Sequence, residues 1–149
     1  MNSVEIGEPI QVLLVEDDEG DIELTREVME DSKLKIKLEV AMDGVEAMAL
    51  LNEMKRNSPS RLPDLILMDL NMPKKDGRET LNEIKCDPEL KMIPVVVLTT
   101  SSAEEDIANS YTHGAACYVK KPVGFEEFAK VVDSVDRFWF TVVRYPSKG

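Results

Sequence analysis

Residues 10–18 read Ile10-Gln11-Val12-Leu13-Leu14-Val15-Glu16-Asp17-Asp18, a near-continuous aliphatic run that breaks abruptly into three acids. Strands buried on both faces of a parallel sheet have this unbroken apolar character, whereas one-sided strands alternate. The same form returns at Leu65-Ile66-Leu67-Met68, which runs into Asp69, and at Val95-Val96-Val97-Leu98, which runs into Thr99-Thr100. Leu38-Glu39-Val40-Ala41 is a weaker strand of edge character. Cys117-Tyr118-Val119 is a short last strand that leads into Lys120-Lys121-Pro122.

Amphipathic segments fill the gaps. Asp21 to Asp31 carries Leu24, Val28 and Met29 on one side, and Asp43-Gly44 opens a helix whose Ala47, Met48, Leu51 and Met54 repeat at helical spacing. A short helix around Gly77–Lys85 carries Leu81 and Ile84. Ser102-Ala103-Glu104-Glu105 has the form of a capping box, and Gly114 can end the helix it opens. A final helix begins at Gly124. Asn57 to Pro63, with two prolines and two serines, is a loop. Strands alternating with helices imply parallel pairing and right-handed crossovers. The expected fold is α/β: a doubly wound, five-stranded, flavodoxin-like parallel sheet in the order 2-1-3-4-5, with five helices and the last one extended. Residues 1–8 are expected to be a tail, 9–137 the domain, and 138–149 an extension of the last helix.

Composition bounds the function. The chain has 149 residues, enough for one domain with its own core. Eighteen basic residues against 29 acidic ones give a net charge of −11. Such a chain is poorly suited to the phosphate backbone of nucleic acid and is repelled by anionic lipid. Hydrophobic residues at 43% and charged ones at 32% describe a folded globule. Cys86 and Cys117 form no CxxC and no disulfide framework, and are expected to be reduced, packed thiols. The first residues lack a secretory signal, and no apolar run approaches the roughly 20 residues that span a bilayer. The expected compartment is the cytoplasm.

In open α/β sheets, ligands bind outside the carboxyl ends of the strands, at the switch point between strands one and three. That topology joins Asp17 to Asp69 across 52 positions of sequence, with Glu16 beside them. Converging carboxylates repel one another. A hard divalent cation relieves the repulsion, and Mg2+ takes one or two carboxylates together with waters and phosphate. Asp18 and Asp21 are read more simply, as solvated acids. A lysine and a threonine hydroxyl at neighbouring strand ends supply a cation and a donor for a phosphoryl group. Together these parts suit phosphoryl transfer to a carboxylate, forming an acyl phosphate.

Val15-Glu16-Asp17-Asp18, Leu67-Met68-Asp69-Leu70-Asn71-Met72-Pro73, Asp76-Gly77, Val97-Leu98-Thr99-Thr100 and Tyr118-Val119-Lys120-Lys121-Pro122 resemble the receiver domains of bacterial two-component response regulators. The resemblance covers about residues 9 to 137. It implies that Asp69 is the phosphoacceptor and that Asp17 ligates Mg2+ directly. Glu16 would act on the metal through water, and Asn71 would give its backbone carbonyl. Thr99 would be the switch hydroxyl, Lys121 its partner in holding the phosphoryl group, and Tyr118 the switch aromatic. Lys120 competes with Lys121 but precedes the Lys-Pro pair. The implied donor is a phosphohistidine on a sensor kinase, and hydrolysis of the acyl phosphate would reset the switch.

The tail narrows the resemblance. Phe125, Phe128, Val132, Val135, Trp139 and Val142 repeat at spacings of three and four, while Phe138, Phe140 and Val143 fall off that stripe. A helix apolar on more than one side needs a second surface, and a homodimer contact through Phe138, Trp139 and Phe140 is expected. No helix-turn-helix follows, so no DNA-binding output domain is expected. The Phe-Trp ending, the Asn57–Pro63 loop and Pro73-Lys74-Lys75-Asp76-Gly77-Arg78-Glu79 resemble the small response regulators that serve cyanobacterial phytochromes. The implied partner is then a phytochrome-type histidine kinase.

Two other classes compete. An aspartyl-phosphate hydrolase shares the nucleophilic aspartate and Mg2+, but usually has a second aspartate two positions on. Here that position is Asn71, so an enzyme is not expected. A phosphorylation-independent binding module typically loses the acidic pair, the acceptor or the lysine, and this chain keeps all of them. His113, the one histidine, suits a helix end, and the eight methionines are read mostly as core.

Overall fold

A computed structural model describes residues 9–31, 35–69, 77–99 and 117–120, with the side chains of residue 99 and residues 117–120 outside the description. The elements run β1 (Ile10–Val15), α1 (Glu19–Asp31), β2 (Ile36–Ala41), α2 (Gly44–Asn57), β3 (Leu65–Asp69), α3 (Gly77–Cys86), β4 (Val95–Thr99) and β5 (Cys117–Lys120). The five strands form one parallel sheet in the order β2-β1-β3-β4-β5. The expected helices after β4 and β5, with the apolar stripe of the tail, lie outside the described residues.

The unbroken apolar runs are buried because the sheet is covered on both faces. Successive side chains of a strand point to opposite faces, and the core divides accordingly. Leu13, Val15, Ile66, Met68, Val95 and Val97 pack with Ala47, Met48 and Leu51 of α2 and with Leu81 and Ile84 of α3. Val12, Leu14, Leu65, Leu67, Val96 and Leu98 pack with Ile22, Val28 and Met29 of α1. Thus α1 covers one face while α2 and α3 cover the other, the arrangement of a doubly wound sheet. Leu51 and Leu81 are fully buried, and truncating either to alanine would cost about 2–5 kcal/mol.

Several local expectations change. Helix α1 starts at Glu19, two residues earlier than the apolar spacing indicates, because Asp18 caps it. Its buried face is Ile22, Thr25, Val28 and Met29, while Leu24 is only half-buried. The Asn57–Pro63 loop holds a 3-10 turn at Pro59–Arg61, and Asn57 is the last residue of α2. Cys86 is a free, exposed thiol and not a packed one, since it sits at the end of α3 on the face away from Leu81 and Ile84. Met29, Met48, Met54 and Met68 are core, but Met42 and Met92 lie in connections and are 41% and 77% exposed. Among the described residues no helix is long and apolar enough to cross a membrane.

Candidate metal centre

The register of the sheet builds the site. Val15 of β1 lies opposite Met68 of β3, so the next residues along, Glu16 and Asp69, leave the two central strands side by side. The Glu16 N–H still donates to the Ala41 carbonyl of β2 at 2.9 Å, which holds the chain extended one residue past the strand. Continuing the period-two pattern, Glu16 and Asp69 stand on the face covered by α1. Both are almost wholly enclosed, at 1% and 4% exposure, whereas Asp17 is partly open to solvent.

A carboxylate oxygen from each of Glu16, Asp17 and Asp69 lies within 4.8 Å of the others. The topology therefore brings together the three acids that the sequence placed at strand ends. Three oxygen donors with no sulfur or imidazole suit a hard cation such as Mg2+ better than a soft one. Asp17, the partly exposed member, is where the described part of the cluster meets solvent. The donor set fits the cation that the family resemblance implies.

The loop from β1 to α1 is tightly held. The Asp18 N–H donates to Glu16 Oε2 at 3.1 Å. The Asp18 carboxylate accepts from the Asp21 N–H at 2.8 Å, and its carbonyl accepts from the Ile22 N–H at 2.9 Å. Asp18 is thus the N-cap of α1, where a side-chain oxygen satisfies one of the donors that a helix's first turn leaves without an intrahelical acceptor. The sequence reading of Asp18 as a merely solvated acid missed this. Sequence alone does not separate the two roles, because an N-cap and a solvated acid differ only in hydrogen bonding.

The register also ties in the other strand ends. Asp69 pairs with Leu98 of β4, and Thr99 pairs with Lys120 of β5. Thr99 and Tyr118 are placed in the sheet by their backbones only. Asn71, Thr100, Lys121, Phe138, Trp139 and Phe140 lie outside the described residues, as does His113.

Comparison with known proteins agrees with this architecture. Residues 12–133 match the family model of the response regulator receiver domain. The chain is 44% identical to response regulator Rcp1 of Synechocystis sp. over 145 residues, which cover 97% of this chain and 99% of Rcp1. The crystal structure of the phosphorylated cyanobacterial phytochrome response regulator RcpA superposes with a TM-score of 0.76 at 43% identity, covering 91% of this chain and 96% of RcpA. The Mn2+-bound form of Rcp1 gives a TM-score of 0.74 at 45% identity, covering 91% and 97%.

Proposed function

The chain belongs to the response regulator receiver family, and from that premise we propose that it signals by accepting a phosphoryl group on Asp69 from a phytochrome-type sensor histidine kinase. The observation that carries this reading is the meeting of Glu16, Asp17 and Asp69 at the carboxyl ends of the two central strands. The kinase assignment is supported by the likeness to RcpA, a cyanobacterial phytochrome response regulator.

Asp69 is the nucleophile. Its carboxylate oxygen forms the new bond to phosphorus as the phosphorus–nitrogen bond of the phosphohistidine breaks, and the imidazole leaves with the electron pair. Asp69 is itself almost wholly enclosed, and Asp17 beside it is partly open to solvent. Asp17, Asp69, the Asn71 carbonyl and, through water, Glu16 would hold Mg2+. When bound, the cation would supply positive charge to offset the negative charge on the phosphoryl oxygens. Support for a divalent cation comes from the oxygen-only donor set and from the Mn2+-bound relative. Lys121 and the Thr99 hydroxyl stabilise the phosphoryl group. Thr99 and Tyr118 then respond to it, because the modification adds negative charge and strong acceptors. The protein works as a switch in the cytoplasm and not as an enzyme, and it pairs as a homodimer through Phe138, Trp139 and Phe140.

Intact-mass measurement after incubation with acetyl phosphate and Mg2+ tests the reading. One added phosphoryl group is expected, absent without Mg2+ and absent in Asp69→Asn. A full-length protein that neither gains the group nor binds the acyl-phosphate mimic beryllofluoride would instead be a phosphorylation-independent binding module.

A further inference from the structure

The loop between β1 and α1 contains an acid that the phosphoryl-transfer reading does not use. Asp18 is exposed and stands outside the trio of converging carboxylates. It nevertheless bonds to one member of that trio and to the first turn of α1. Its N–H donates to Glu16 Oε2 at 3.1 Å, and its carboxylate accepts from the Asp21 N–H at 2.8 Å. One residue therefore links a buried carboxylate of the site to the first turn of α1. Its side chain fixes its own backbone against the helix, and that backbone in turn orients Glu16.

The residue at position 20 is consistent with this link. A Cβ built on Gly20 would lie 3.2 Å from Asp18 Oδ2. That is closer than an unstrained carbon–oxygen contact, so a side chain here would push the carboxylate. Glycine is a poor helix residue, costing about 1 kcal/mol relative to alanine. Its presence in the first turn leaves room for the Asp18 carboxylate.

We propose that Asp18 is a positioning residue for the divalent-cation centre: as the cap of α1 it holds the Glu16 carboxylate in the orientation that cation binding uses. The proposal rests on the reading of Glu16, Asp17 and Asp69 as that centre. Asp18 acts through geometry and not through its charge, which is exposed and screened at physiological ionic strength.

Calorimetric titration of the full chain with MgCl2, at about 0.15 M salt, separates the two roles. Asp18→Ala removes cap and charge together and is expected to weaken binding about tenfold, a typical loss when a supporting residue of a metal site is removed. Asp18→Asn and Asp18→Ser remove the charge but retain a capping oxygen, and are expected to stay within about threefold of the parent. Gly20→Ala changes no charge. It is expected to weaken binding about threefold without lowering the unfolding temperature, a split that general destabilisation would not produce. Equal losses in Asp18→Asn and Asp18→Ala would overturn the proposal, since charge alone would then be acting. Unchanged binding in Asp18→Ala would overturn it as well. Asp17→Asn keeps the two readings apart: if it too binds Mg2+ like the parent, the centre itself has been misassigned.

Discussion

The junctions β1–α1 and β2–α2 are made of the same parts and put them to different use. In each, an aspartate precedes the helix and its carboxylate accepts an N–H from three residues on at 2.8 Å, Asp18 from Asp21 and Asp43 from Glu46. At β2–α2 the acids close on their own backbone. Glu46 Oε1 accepts from the Met42 N–H at 2.6 Å, and Asp43 is itself buried. At β1–α1 the acids before the cap, Glu16 and Asp17, meet Asp69 at the carboxyl ends of the central strands. The local sequences differ little in kind. Position in the strand order separates them: β2 is an edge strand, while β1 is flanked by β2 and β3 and so borders the switch point.

If that contrast is right, removing an acid at one junction has the opposite consequence to removing one at the other. The largest effect is expected for Asp17→Asn. In the parent, Mg2+ at about 100 times its dissociation constant adds about 2.7 kcal/mol of stability, or about 5–10 °C in unfolding temperature for a chain of this size. The variant is expected to lose that gain and, without metal, to unfold at or above the parent's temperature, because one of three like charges is gone. Thermal denaturation with and without MgCl2 checks both. A variant less stable than the metal-free parent would mean that Asp17 is a structural acid like Asp43.

Asp43→Ala is expected to do the reverse. Loss of a buried cap costs about 1–2 kcal/mol, which lowers the unfolding temperature by about 2–8 °C, with or without metal. The MgCl2-induced gain should remain at the parent's value. Should the gain shrink in parallel, the two junctions would be coupled through β1–β2 pairing and the contrast between them would be weaker than their geometry implies.

The same contrast explains which features are legible in the amino-acid sequence. Buried strands announce themselves, because only a sheet covered on both faces makes runs such as Leu65-Ile66-Leu67-Met68 free of polar residues. The acids that follow such runs inherit a defined place, so Glu16, Asp17 and Asp69 can be located from sequence. The contribution of Asp18 cannot, because an N-cap and a solvated acid have the same composition and differ only in hydrogen bonding. Helix faces are legible where the spacing is regular, as in α2, and less so in α1, where Thr25 takes a core position and Leu24 does not. Connections are the least legible. Met42 and Met92 are apolar by type, but their exposure follows from where the chain turns. The roles of Asn71, Thr99, Tyr118 and Lys121 rest on motif resemblance, since the strand pattern fixes only where a strand ends and not which side chain reaches the site.

An acid with a cation beside it offers the smallest and most specific test. Asp87, between α3 and β4, accepts from Lys55 Nζ of α2 at 2.6 Å, and both side chains are mostly buried. Its carboxyl is held below the usual aspartate value of 3.8, first by that bond and then by the N–H groups of Glu89 and Leu90, with burial opposing. A carboxyl lowered in this way binds fewer protons folded than unfolded at acidic pH. Its stabilisation is therefore complete above the unfolded value and is lost as pH falls through the lower folded one. Lys55→Met keeps the aliphatic stem and removes the charge. It is expected to cost about 1 kcal/mol at neutral pH, with the deficit shrinking below about pH 4 as Asp87 protonates in the parent too. Urea denaturation at pH 7, 5 and 3 measures this directly. A deficit of equal size at all three would mean that the loss does not come from the pairing of Lys55 with the Asp87 carboxylate.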